Sequence, residues 1–265
     1  MSGPGLWCVE RPGSLVCLFG ETVGLRAGDM WLRPAIRHAV ETSRVLWREA
    51  DRDELAASPL LATYALSDVP LSSRLGGDAH GRVGDVARSV GVDPASLEGL
   101  RPWVAAQLLE GALRARAGLD GGLGVDAVIA RLAAAAGVAT RSELGDAAAT
   151  FAWFAGLGTE LEVDYLQWTV DRVALGPGEM DRQVRAWLAG DRTVTEEQNR
   201  ALRRDHPRLH ERLLVERNRA WVPRIEAMLT EPGTAFVLVG GAHLAGEDSI
   251  VRLLTEAGLA PRSTS

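Results

Sequence analysis

The sequence contains no lysine. All 29 of its basic residues are arginine, and 35 acidic residues outnumber them, for a formal net charge of −6. That balance excludes the basic footprint with which nucleic-acid-binding domains neutralise phosphates, so no nucleic-acid partner is expected. Cysteine is scarce too: two in 265 residues, too few for a disulfide framework or a thiolate zinc cluster. Cys8 and Cys17 flank the turn signal Pro12-Gly13. A disulfide across a hairpin is one reading of this pair; two small buried thiols is the reading the sequence favours. The first residues lack a basic segment followed by an apolar one, so no secretion signal is read. Long apolar runs are missing as well. The best stretch, 127–138, carries Arg131 and is too short for a bilayer. No membrane span is expected, and a cytoplasmic location is the default that follows.

What is present is ordinary globular composition, with 46% hydrophobic and 24% charged residues. A chain of this length builds its own core without covalent staples, and the expectation is one domain over 1–265. Residues 6–10 and 15–19 read as short strands, 32–43 as a helix, and 45–47 as a strand ending near Glu49. The glycine-rich region 58–99 reads as loops joining short helices, one of them at 83–90. A clear helix is expected over 100–117, with Trp103, Leu108, Leu109 and Leu113 buried, then a helix over 125–136 and a short strand over 138–143. The pattern from 147 to 228 is mostly helical. The run 235–239 is continuously apolar, as a strand buried on both faces must be. It ends in Gly240-Gly241, and a helix over 248–257 closes the chain. This order predicts an α/β fold, a central mixed sheet of N- and C-terminal strands carrying a large helical insertion over 100–191, packed on the sheet as a lid or wall.

The sharpest chemical feature is Val239-Gly240-Gly241-Ala242-His243. A buried strand delivers His243 to its carboxyl end, where open α/β sheets build their sites, and glycines let backbone approach a ligand closely. A histidine that only caps the next helix is the plainer alternative. His206 and His210 stand four apart, but Pro207-Arg208-Leu209 between them lacks the glutamate of a zinc-protease helix, so a solvated helix face is expected. His38 and His80 have no visible partner, and Trp153, Trp168, Trp187 and Trp221 read as core. No nucleophile elbow, Walker A loop or dinucleotide fingerprint is present.

Glu216-Arg217-Asn218-Arg219-Ala220-Trp221, followed by the strand into Gly240-Gly241-Ala242-His243-Leu244-Ala245-Gly246, resembles the C-terminal signature of the TraB/GumN family. Further blocks align in order: Leu32 to Ser43 with Leu46-Trp47-Arg48-Glu49, Gly124-Val125-Asp126 with Glu143, and Trp187-Leu188-Ala189-Gly190-Asp191. The family includes TIKI-type metalloproteases, in which two Gly-x-x-His motifs and acidic residues are thought to bind a divalent metal and cleave peptides. This chain keeps the second motif at Gly240 to His243. At the first, Gly20-Glu21-Thr22-Val23, valine stands where histidine is expected and cannot ligate a metal.

The resemblance implies a metal-dependent hydrolase, peptidase-like, with His243, Glu49 and Glu21 holding one divalent ion (manganese, cobalt or zinc). Glu49 and Glu21 are then also the candidate catalytic bases for metal-bound water. Arg217 and Asn218 are candidate substrate-binding residues for a peptide or small molecule, since an arginine clamps a carboxylate bidentately; a structural ion pair and a cap are the alternative. Glu21 reads equally as a solvated turn residue, Glu49 as an ion-pair partner, and Asp126 as a helix-start residue. Loss of the first histidine motivates the second functional class, a catalytically inactive family member that binds a ligand or partner through the same cleft.

Overall fold

The computed structural model describes residues 3–22, 24–50, 55 and 58–264. It resolves into two compact units, one formed by Met1–Glu49, Asp120–Glu143 and Arg182–Ser265, the other by Ala50–Leu119 and Leu144–Asp181. The helical stretch expected over 100–191 is therefore not one body. Its residues 120–143 and 182–191 belong with the sheet, and the rest belongs to the second unit.

The first unit holds a six-stranded mixed sheet: β1 (Leu6–Arg11), β2 (Ser14–Glu21), β3 (Ser43–Arg48), β4 (Ala139–Ser142), β5 (Gly233–Gly240) and β6 (Arg262–Thr264). Their order across the sheet is β4-β3-β5-β2-β1-β6. β5 runs parallel to both β2 and β3, and β4 is parallel to β3, whereas β1 is antiparallel to β2 and β6. The C-terminal strand thus inserts between the two N-terminal ones, as expected of an α/β sheet built from both ends of the chain. Four parallel strands end at the same rim, and that shared rim matters for the site.

Alternation sorts the side chains. Ala235, Val237 and Val239 of β5 join Val16 and Leu18 of β2 in a core with Trp221, Ile225, Ile250 and Leu254, from the helices Glu216–Met228 and Ile250–Glu256. The intervening residues point the other way, where Phe19 meets Phe236, Trp31 and Trp187 at ring-centroid distances of 6.3, 5.7 and 6.0 Å. Trp187 also donates from its indole to the Gly20 carbonyl at 2.8 Å. Trp221 is fully buried, as expected of a core aromatic.

Cys8 and Cys17 face each other in the β1–β2 register and form a disulfide, not the pair of thiols expected. Directly opposed positions bring the two Cβ atoms within bridging reach, and the spacing around Pro12-Gly13 sets that opposition. The closing helix begins at Ile250, with the Ser249 side chain accepting from the Arg252 amide at 3.3 Å. The short β6 pairs with β1 and was not foreseen.

The second unit is helical. Its helices include Gly77–Ser89, Pro102–Arg116, Ala147–Ala155 and Thr159–Ala174. The Pro102–Arg116 helix starts two residues later than expected, because Arg101 is extended ahead of proline. Trp103, Leu109 and Leu113 are buried as the periodicity requires, but Leu108 is exposed because it lies well around the helix from that stripe. Trp103 stacks on Phe154 at 5.1 Å, and Arg101 pairs with the buried Glu162 while donating to the Ala155 carbonyl at 2.7 Å. Among the described residues, no helix is long and apolar enough to cross a membrane.

Candidate functional site

Because β2, β3, β4 and β5 are parallel, Glu21, Glu49, Glu143 and Gly240 all stand at one edge of the sheet. Glu21 is opposite Gly240 in register, and Glu49 and Glu143 directly follow β3 and β4. The Glu143 amide donates to the Arg48 carbonyl at 2.7 Å and extends that pairing past the strand end. Beyond β5 the chain turns through Gly241–Leu244 and carries His243 back into the interior, 4% exposed.

The glycines here answer a demand for space. A Cβ on Gly241 would lie 2.9 Å from the Glu21 carbonyl oxygen, and one on Gly20 would lie 3.1 Å from the Gly241 Cα. A Cβ on Gly240 would stand 3.1 Å from Glu49 Oε2, the atom to which the Gly240 amide donates at 2.5 Å. These strand ends approach so closely that any side chain would force them apart.

A connected polar network occupies the rim. Glu49 Oε1 lies 3.2 Å from His243 Nε2 and 2.7 Å from Arg217 Nη2. The same Arg217 nitrogen lies 2.7 Å from Glu143 Oε2, and Arg224 approaches Glu143 Oε1 at 3.7 Å. On the other side of the imidazole, His243 Nδ1 and Asn218 Oδ1 are 2.6 Å apart, while Asn218 Nδ2 donates to the Asp248 carbonyl at 2.7 Å. That second bond fixes the amide, so its oxygen faces the ring and His243 Nδ1 carries a proton. Nε2 then either donates to Glu49 or presents a lone pair beside it. Glu49 Oε1 and His243 Nε2 together form a seat for one proton or one cation.

Burial pushes Glu49 toward its neutral form, but the Arg217 charge, the His243 ring and the Gly240 amide outweigh it and hold the carboxyl well below the ordinary range. Arg217 loses solvation by burial, and Glu49 and Glu143 more than restore its charged form. A second buried pair braces β3 from beneath: Arg48 Nη1 lies 3.2 Å from Asp126 Oδ2 in the first turn of the Val125–Ala135 helix.

The structure therefore brings together four of the five expected site residues, Glu49, His243, Arg217 and Asn218. Glu21 shares their rim, and Val23 lies outside the described residues. The three-ligand set expected from Glu21, Glu49 and His243 is not assembled, because among the described residues no group of three or more His, Cys, Asp or Glu side chains is placed to hold a metal. Arg217, expected to clamp a substrate carboxylate, engages the protein's own Glu49 and Glu143. His210, expected on a solvated face, is buried at 4% exposure and directly precedes the π-helical turn Glu211–Val215. Glu143 and the Gly240 amide join the network in addition to the expected site residues. The parallel pairing of β4 with β3 carries the first, and the close approach at Gly240 carries the second.

No curated protein and no solved structure matches the chain. A family model does match, that of the TraB/PrgY/gumN family, over residues 5–263. With nearly its whole length covered and the Gly240 to His243 motif at the heart of its rim, the chain belongs to the TraB/PrgY/gumN family.

Proposed function

We propose that this family member binds a ligand at the Glu49–His243 rim without metal-dependent hydrolysis. The observation that carries this reading is the occupation of Glu49. Its Oε1 is held by Arg217 and His243 and its Oε2 by the Gly240 amide, so a fixed guanidinium already supplies the positive charge a metal would bring. A catalytic zinc keeps three protein ligands and an open position. Here two donors converge, and the residue at the first motif's histidine position, Val23, has no donor atom. The donor set does not fit a resident metal. A polar ligand offering a hydrogen-bond donor to Glu49 or an acceptor to His243 fits the same seat. Metal content of untagged protein, with and without chelator treatment, tests this. The expected result is no bound metal in either sample; one equivalent removed by chelator would overturn it.

Two observations favour the second reading, a metal-dependent, peptidase-like hydrolase that uses Glu49 as base. Two ligands of one ion at about 2.0–2.2 Å stand roughly 3–3.5 Å apart, and Glu49 Oε1 and His243 Nε2 are separated by 3.2 Å. Asn218 also orients the imidazole through Nδ1, as outer-shell partners of metal-bound histidines do. On this reading Val23→His supplies a further ligand, tightens metal binding and raises chelator-sensitive peptide hydrolysis. On the binding reading it creates none.

A further inference from the structure

We propose that a second pocket, behind Asn218, binds a small organic anion, a carboxylate or phosphate attached to an apolar body. The pocket holds about 500 Å³ and lies within the sheet-bearing unit. This volume falls in the range of cavities that enclose small molecules. Asn218 and Ala242 form part of its wall, so it backs onto the rim.

Two features point to an anion. The first is an excess of uncommitted positive charge. On the Thr193–Asp205 helix, Glu196, Asn199, Arg200 and Arg203 fall at three- and four-residue spacings, which puts them on one face, and all four line the pocket. Arg203 is committed to Glu247 at 2.9 Å and to Asp248 at 3.6 Å, yet the four arginines of the lining still outnumber its three acids, Glu196, Glu247 and Asp248. Glu196, the third, stands 4.0 Å from Arg192 Nε. Arg200 has no ion pair or hydrogen bond among the described residues. Among the described residues the Arg252 side chain reaches the exposed Glu256 one turn along its own helix, a pairing that water competes for effectively.

The second feature is His210. It is 4% exposed and lines the pocket, yet its ring makes no hydrogen bond among the described residues. Its Nε2 stands 3.7 Å from the Asp248 carboxylate. Its ring nitrogens are not sealed off from the cavity, so water or a ligand group there can supply the missing hydrogen bond. The π-helical turn Glu211–Val215 directly follows this residue, and such turns recur at functional sites. The rest of the lining suits the body of the ligand. Leu214 and Val251 are apolar, and Trp7 presents an indole whose ring is already capped by Arg192 at 5.1 Å.

Calorimetric titration of the full chain with phenyl phosphate, benzoate, inorganic phosphate and benzyl alcohol tests the proposal. Phenyl phosphate or benzoate is expected to bind saturably at one site, inorganic phosphate more weakly, and benzyl alcohol not at all; the first two compounds separate phosphate from carboxylate recognition. Arg200→Gln, an exposed substitution that leaves the fold intact, should weaken binding at least tenfold, and His210→Gln should weaken it too. Glu49→Gln should leave it unchanged, which separates this pocket from the rim. Absence of saturable binding by every probe, wild-type affinity in Arg200→Gln, or loss of binding in Glu49→Gln would each overturn the proposal.

Discussion

Replacing Arg217 by methionine should expose how the rim is held together. The guanidinium is 11% exposed and touches two carboxylates, Glu49 and Glu143, each at 2.7 Å. Methionine fills much of the same volume but leaves both acids without their principal cation. Breaking a buried pair by removing one partner costs about 3–5 kcal/mol. For a chain of this size that corresponds to a fall in melting temperature of roughly 6–20 °C. The pH dependence gives the sharper test. In the wild type, burial opposes ionisation of Glu49 but Arg217, His243 and the Gly240 amide override it, so the folded-state pKa is depressed. A depressed carboxylate contributes stability that is present above its unfolded value, about 4.3, and is lost as pH falls through the folded value. In Arg217→Met the burial remains and the largest opposing attraction is gone, so the pKa of the carboxyl rises. Protonation then relieves the variant while it costs the wild type. Melting curves by circular dichroism at pH 8 and pH 5 should show the largest deficit at pH 8 and a smaller one at pH 5. A deficit that is equal or larger at pH 5, or below about 1 kcal/mol at pH 8, would refute this account of the rim.

Asn218→Leu removes the acceptor for His243 Nδ1 and the donor to the Asp248 carbonyl, so the His243 ring NMR resonances should shift and stability fall by about 1–3 kcal/mol; unchanged resonances would mean the ring is oriented by something else. Gly241→Ala places a Cβ 2.9 Å from the Glu21 carbonyl oxygen, a rigid backbone contact that should cost roughly 1–3 kcal/mol in urea unfolding, and a neutral result would count against the close approach of the strand ends. The double substitution Cys8→Ser, Cys17→Ser opens the β1–β2 crosslink and should lower stability by roughly 2–4 kcal/mol under non-reducing conditions. The same variant compared with wild type in reductant should show no difference; a persistent gap would point to packing rather than the crosslink.

The strands carrying the site were legible in the sequence because burial on both faces leaves a continuous apolar run, and 235–239 is such a run. The position of His243 followed from that strand and its two glycines. Other features escaped for identifiable reasons. β6 is Arg262–Thr264, three residues with no apolar signal, recruited only because the edge of β1 needs a partner. The ion pair between Arg217 and Glu143 spans 74 residues, and no local spacing reports it. Whether the cysteines meet depended on strand register, and a slip of one position would have put them on opposite faces. His210 is buried although it is polar, and hydrophobic periodicity reports apolar positions only.

The central claim is that the rim seats a proton or a polar ligand group in place of a metal, and metal titration tests it most directly. Calorimetric titration of manganese, cobalt and zinc should be run on chelator-treated wild type and on His243→Ala. The account predicts no stoichiometric binding to the wild type, because Arg217 and the Gly240 amide already occupy Glu49 and no third ligand is assembled among the described residues. One equivalent of any of these ions bound tightly by the wild type and lost in His243→Ala would contradict it.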